Sequence, residues 1–415
     1  MSVRQPVLRG RRRAAGTAGL LVLALTAAGC SSAVGGTAPD LIATPSGTPS
    51  APTSSAAPQP AATVRTNLPD TGTVHVDKVV KLHAEHGRFK SVDVSAKGGL
   101  KGTTYKGTLS KDKQTWTSTS SLEPGEHVSI KAVAVDKRGL KTKRDIAFRA
   151  DPLTLDQQTY PSIAPLPNET VGIGMPVIVH FDVAVTDKAN IEKHLHVTNT
   201  SGQVGAWHWI SDNEVRWRPK HYWKPGTDVT VSADVNSVDA GNGIYGQLDN
   251  TTTFHIGDAM IDKVNLQTDQ MKVYRNGTLL RTIPVSAGKP GFTTRSGIKV
   301  IIEKFRHVRM DAATIGISKS SPEYYDLSHV GWAMRLTYSG EFLHAAPWSA
   351  AAQGVSNTSH GCTGMSTANA KWLFGISKRG DVVVTTGSDR PMTLTNGYGD
   401  WNESFAQYKQ GSALN

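Results

Sequence analysis

The sequence predicts a mainly β protein: two tandem β-sandwiches, then a β-rich domain with one main helix. Three observations carry this. Residues 72–258 alternate apolar and polar side chains in short runs, as in Val128-Ser129-Ile130-Lys131-Ala132 and Val229-Thr230-Val231-Ser232-Ala233, the period-2 signature of half-buried strands. Those two runs sit in a repeat at an offset of 101 residues, with Pro124-Gly125 matching Pro225-Gly226 and Trp116 matching Trp217. After residue 259 the texture changes to short strands, many glycines and a single helical stretch.

The chain has 415 residues, enough for several domains. Residues 1–29 read as an export signal: Arg4, Arg9, Arg11, Arg12 and Arg13, then the apolar run from Gly19 to Ala28. That run is short for a bilayer span. It ends in Ala27-Ala28-Gly29-Cys30, which resembles a bacterial lipobox with Ala27 where Leu is usual. Cys30 is therefore the expected lipidation site; the alternative is a plain signal peptide with a chance cysteine. Residues 30–71 are rich in Ser, Thr, Ala and Pro and are expected to be a disordered tether.

The repeat spacing and Pro-Gly turns predict two immunoglobulin-like sandwiches, over 72–152 and 153–258. The alternative is one larger β domain. His194, His196, His208 and His221 are scattered, with no third ligand to support a metal site. In the domain expected over 259–387, Met271–Tyr274 and Leu279–Ile283 flank Asn276-Gly277, a hairpin signal. Residues 367–377 form the helix, with Ser366 as N-cap and Ala370, Leu373 and Phe374 facing the core. Residues 380–385 are a buried strand. Residues 388–415, with Trp401 and Phe405, are expected to pack on the catalytic domain as a small extension.

The precursor carries 45 basic and 34 acidic residues, net +11, but the leader holds five of the arginines and no acid. The mature chain is thus about +6, which gives no argument for nucleic acid. Only two cysteines occur, Cys30 and Cys362. That excludes a multi-bridge disulfide scaffold, a Cys-rich zinc module and a single-chain iron–sulfur site.

The chemistry concentrates around Cys362, within Tyr338-Ser-Gly340-Glu-Phe-Leu-His344-Ala-Ala-Pro-Trp348 and Ser359-His360-Gly361-Cys362-Thr-Gly364-Met-Ser366. Cys362 lies just before the helix, whose positive N-terminus would lower the thiol pKa. The backbone N–H groups of Gly361 and Cys362 suit an oxyanion hole. His344 is placed to take the thiol proton, and His360 is close enough in sequence to reach the same site. A buried, unreactive cysteine is the competing reading.

The window resembles the signature of the L,D-transpeptidases, the YkuD-type cell-wall cross-linking enzymes. Here a His is followed, just under twenty residues later, by Ser/Thr-His-Gly-Cys. His344 precedes Cys362 by 18 positions and Ser359-His360-Gly361-Cys362 matches outright. The resemblance covers 259–387, and the plan of lipobox, tether, two sandwiches and catalytic domain is similar to actinobacterial members. It implies Cys362 as nucleophile and His344 as general base. Ser359, His360 and Gly361 would shape the site. Met310, Tyr338, Gly340 and Trp348 would bind substrate, with Tyr324 or Tyr325 as a lid tyrosine and residues 305–343 as the lid. It implies transfer of a peptidoglycan tetrapeptide stem, with loss of D-Ala, to the diamino-acid side chain of a second stem, giving a 3→3 cross-link. It further implies no metal or organic cofactor, carbapenems as acylating inhibitors, a monomer, and a lipid anchor on the outer face of the cytoplasmic membrane. One departure stands: the family's Asn after the Cys is Gly364. Two rival readings are a cysteine hydrolase of the same fold and a non-catalytic wall-anchored lipoprotein; a zinc peptidase lacks its helical motif.

Overall fold

In the computed structural model, residues 61–69, 72–98 and 105–415 are described, so the leader, Cys30 and nearly all of the tether segment lie outside the described residues. Two four-stranded sheets make the first sandwich. One runs Thr63–Thr66, Lys81–Glu85, Thr115–Ser118, Gly107–Leu109; the other runs Thr73–Val74, Lys141–Ala150, His127–Asp136, Gly87–Lys97. The inward residues of each alternating strand, among them Leu82, Phe89, Trp116, Ile130 and Ile146, form its core. The first strand corrects the tether boundary at residue 71. Thr63–Thr66 pairs with Lys81–Glu85 from Thr63↔Glu85 to Thr66↔Leu82, so the sandwich begins before residue 72. Ala62, Val64 and Leu68 are buried; these few apolar residues were masked by the surrounding Thr and Pro.

The second sandwich repeats the eight strands of the first and adds a small three-stranded sheet, Asp239–Gly241, Ile244–Gly246, Gln158–Thr159. Its sheets run Pro161–Ala164, Val177–Phe181, Glu214–Pro219, Gly205–Trp209 and Thr170–Val171, Asn250–Ile256, Asp228–Ala233, Leu195–Asn199. In both units the short strand of the second sheet, Thr73–Val74 or Thr170–Val171, pairs in parallel with its neighbour. The repeat reaches side-chain detail. A Cβ built on Gly107 would lie 2.2 Å from the Trp116 ring, and one on Gly205 would lie 2.3 Å from the Trp217 ring. Each indole occupies the space that a side chain on the neighbouring strand would fill.

The remaining domain holds a five-stranded sheet, ordered Thr278–Pro284, Gln270–Arg275, Met260–Asn265, Val382–Thr386, Gly297–Val300. A four-stranded sheet follows, ordered Glu303–Asp311, Asp326–Arg335, Phe342–Ala345, Thr363–Met365. The hairpin turns through Asn276 and Gly277, both at positive φ (49° and 82°), the geometry that Asn-Gly favours. The helix spans Thr367–Ile376, and Ser366 Oγ accepts the Asn369 N–H at 3.2 Å. Ala370 and Leu373 pack into the core between the sheets, while Phe374 is only partly buried, edge-on to Trp332.

The second sandwich and this domain share one core: Val171, Ile173 and Trp223 cluster with Val300, Ile302, Val382 and Tyr398. The C-terminal segment bridges the two units rather than packing on the last domain alone. Asn402 bonds both backbone groups of Ile298, but Asp400 pairs with Arg216, and Arg218 lies against the rings of Trp401, Phe405 and Tyr408. Arg216 and Arg218 are buried on the sandwich. Burial of a guanidinium demands such partners, and the tail supplies them.

Candidate active site around Cys362

His344 lies in the wholly buried strand Phe342–Ala345, which runs parallel to Thr363–Met365 with His344 opposite Gly364. Cys362 immediately precedes that second strand, so the ladder brings the two residues to one cleft. The His344 Nδ1 is 2.8 Å from the Ala345 carbonyl oxygen. A carbonyl only accepts, so Nδ1 carries the proton and Nε2 keeps its lone pair. Burial lowers the imidazole pKa, which holds it neutral. Trp348 stacks over it, ring centroids 5.9 Å apart.

Cys362 is 8% exposed and packs with Ala333 and Phe342. Its thiol donates to the Gly340 carbonyl at 3.4 Å. Burial pushes the thiol up to about 12; the Phe342 N–H opposes this, the Glu341 carboxylate adds to it, and Lys299 and Arg335 oppose it. This corrects the expectation of a thiol acidified by the helix. Three strand residues, roughly 10 Å of chain, separate Cys362 from the Ser366 cap. The resting pair is therefore neutral thiol and neutral imidazole.

The loop before the nucleophile is braced from within. The Ser359 hydroxyl donates to the Cys362 carbonyl at 2.6 Å and accepts the Gly361 N–H at 3.1 Å. The Gly361 N–H is thus engaged, which corrects its assignment to the oxyanion hole. Gly361 has φ +125°, a conformation that favours glycine. His360 lines the cleft but its Nε2 is 2.7 Å from Glu323 Oε2, with Lys289 Nζ 2.6 Å from the same oxygen. Its ring rests against Phe292 and Tyr325. His360 thus ties to Glu323, in the segment expected to be the lid, and has a partner other than the thiol.

The cleft measures about 290 Å³ and includes Met310, Tyr325, His344, Trp348, Ser359 and Cys362. Met310 and Tyr325 also line a second cleft of about 250 Å³ with Tyr338 and Gly340. Of the two lid tyrosines, Tyr325 meets the cleft. Tyr324 lines neither and instead lies near Asp311, Asp326 and Arg309. The lid is built on the hairpin Glu303–Asp311 and Asp326–Arg335, whose second strand pairs directly with the His344 strand.

Two further features escape the sequence motif. Glu341 lies between Arg295 Nη1 at 2.8 Å and the fully buried Lys299 Nζ at 2.6 Å. This cluster sits directly behind Gly361. Glu341 stands inside the quoted window, but nothing in the spacing marks Lys299 as buried. Gly364 exchanges backbone hydrogen bonds with Ser286, and a Cβ there would lie 2.7 Å from the Ala346 Cβ. Glycine fits this packing where the similar family has Asn. Among the described residues no group of three His, Cys, Asp or Glu is arranged to hold a metal ion.

Comparison with known proteins follows the same division of the chain. The model of the L,D-transpeptidase catalytic domain, YkuD, matches residues 262–385, and that of the bacterial Ig domain matches 71–239, across both sandwiches. L,D-transpeptidase 2 of Mycobacterium tuberculosis is 36% identical over 343 residues, 82% of each chain. L,D-transpeptidase 1 of the same species is 37% identical over 226 residues, covering 54% of this chain and 84% of that protein. A solved structure of an L,D-transpeptidase in complex with imipenem is 36% identical, covers 54% of this chain and 97% of that one, and has a TM-score of 0.48.

Proposed function

The chain belongs to the L,D-transpeptidase family, and from that premise we propose that it forms 3→3 peptidoglycan cross-links through a Cys362 thioester. The observation that carries this is the His344 tautomer: Nδ1–H is spent on Ala345 O, leaving Nε2 as a base in the cleft that holds Cys362.

With both groups neutral at rest, proton transfer accompanies attack. The thiol proton passes to His344 Nε2 as sulfur bonds to the carbonyl carbon before the terminal D-Ala of a donor stem. The oxyanion is received by the Cys362 N–H. The C–N bond breaks, the imidazolium proton goes to the departing D-Ala amine, and a thioester remains. The side-chain amine of an acceptor stem then attacks the thioester and gives a proton to His344. The expelled sulfur takes that proton back. The wall made by Met310 and Tyr325 separates the two clefts, which suits one approach for each stem.

The same thiol is the proposed site of carbapenem acylation. Incubation with a carbapenem, followed by intact mass, should show one adduct on wild type and none on Cys362→Ala. An equal adduct on both proteins overturns the assignment. Incubation with donor and acceptor stems separates transferase from hydrolase: a cross-linked dimer supports the proposal, and a free tripeptide alone overturns it in favour of hydrolysis. Absence of either product with an intact fold would leave the non-catalytic reading.

We further assign Cys30 as the lipid-bearing residue of an exported chain that reaches from the outer face of the membrane into the wall, on the lipobox and the leader. No helix among the described residues is long and apolar enough to cross a membrane. Loss of fatty-acid labelling in Cys30→Ala tests this anchor.

A further inference from the structure

The positive charge of the mature chain is confined to the first sandwich. Residues 61–152 hold 17 basic and 10 acidic side chains, whereas residues 153–415 hold 23 of each. Within the sandwich more than half of this excess falls on one face, six basic side chains against two acidic. The strands Gly87–Lys97, His127–Asp136 and Lys141–Ala150 turn Phe89, Ile130, Ile146 and Phe148 inward. Alternation therefore turns Arg88, Lys97, Lys131, Lys141, Lys143 and Arg149 outward, and all six are exposed. None has a carboxylate within ion-pair distance among the described residues. On these three strands Asp93 and Asp145 are the acids turned outward, both level with Lys131, and Asp112 and Asp136 line the cleft beside Arg88.

The register orders these charges. Lys97, His127 and Arg149 form one cross-strand row; Arg88, Val135 and Lys141 form another, eight residues further along the central strand. At about 3.4 Å per residue the rows are about 27 Å apart. The floor near the first row is Gly72, Ser95, Ser129 and Ala147, in a shallow trough of about 570 Å³.

We propose that this face is a docking surface for an anionic polysaccharide. Charge complementarity selects an anionic partner. A trough floored by small residues and crossed by one cationic row, with the second row about 27 Å further along the same strands, admits one extended chain. A membrane-surface site would present apolar anchors, and a single-stranded nucleic acid site would present stacking aromatics. The aromatic side chains of these strands, Phe89 and Phe148, are buried instead. The proposal does not depend on the reaction at Cys362.

The test is binding of the purified protein to dextran sulfate, with neutral dextran and phosphatidylglycerol vesicles as the other arms. Dextran sulfate should bind and weaken about tenfold or more between roughly 0.05 and 0.3 M salt. The triple variant Lys97→Glu, Lys143→Glu, Arg149→Glu should lose about thirtyfold or more in affinity, while its Tm and carbapenem adduct stay as in wild type. The control triple Lys193→Glu, Lys220→Glu, Lys224→Glu, on exposed sites of the second sandwich, should bind within about threefold of wild type. If the first triple unfolds, the corresponding glutamine triple should still weaken binding selectively. Equal losses in both triples, equal binding of neutral dextran, or binding of vesicles without dextran sulfate would each overturn the proposal.

Discussion

Glu323 Oε2 stands 2.7 Å from His360 Nε2, so the segment between the strands Glu303–Asp311 and Asp326–Arg335, the expected lid, is fastened to a residue two positions before Cys362. Lys289 grips the same oxygen at 2.6 Å. The two bonds hold the Glu323 carboxyl below its usual range, with Lys289 the larger cause and His360 next. A carboxyl with a lowered folded pKa contributes above its unfolded value near 4.5 and loses that contribution as pH falls through the folded pKa. The latch should therefore hold at neutral pH and release in acid. Glu323→Ala should speed amide hydrogen exchange over residues 316–327 about fivefold at pH 7, leaving the second sandwich unchanged. No change over 316–327 would show that the lid is held by other contacts.

The raised thiol makes a kinetic prediction. An ordinary cysteine near pKa 8.5 reaches its full alkylation rate by about pH 10. With Cys362 pushed up to about 12, its reaction with iodoacetamide should keep rising through pH 10 without a plateau. In the proposed mechanism carbapenem acylation draws on His344 as base, so His344→Ala should slow it by about 100-fold or more. A plateau near pH 8 in the free protein would contradict a buried, protonated resting thiol.

A second titration involves two buried carboxyls. Asp262 and Asp381 are both buried, and each has a side-chain oxygen without a hydrogen-bond partner. Burial, and then the charge of Asp381, raises Asp262 well above its ordinary value; burial raises Asp381 to about 7. A carboxyl raised in the folded state contributes stability that is complete below its unfolded pKa near 3.8 and is lost as pH climbs through about 7. Thermal stability should thus fall between pH 5 and pH 8. Asp381→Asn, which keeps an oxygen for the Lys378 N–H, should flatten that fall and raise Tm at pH 8 by about 5 °C. An unchanged slope would mean that another group carries the pH dependence.

The legible parts of the molecule are those encoded locally. The 101-residue repeat, its paired tryptophans, the Asn-Gly hairpin and the Ser366-capped helix each depend on neighbours in sequence or on a period of two. The Ser359–Cys362 motif is likewise a local string, and three of its residues line one cleft with His344. Less legible was the strand Thr63–Thr66, because its polar neighbours hide the few buried residues that its long-range partner Lys81–Glu85 secures.

What the sequence alone indicated is the order of sandwiches and catalytic domain, and the Cys362–His344 pair proposed as nucleophile and base. What tertiary structure decided is the state and surroundings of those groups. The thiol is neutral because the lid strands bury it; His344 is a base because the Ala345 carbonyl selects its tautomer. Glu341, Lys299 and Arg295 meet behind Gly361, and Tyr325 rather than Tyr324 faces the cleft. Protonation, tautomer and exposure depend on desolvation and on partners distant in the chain. Those are fixed only when the strands have paired.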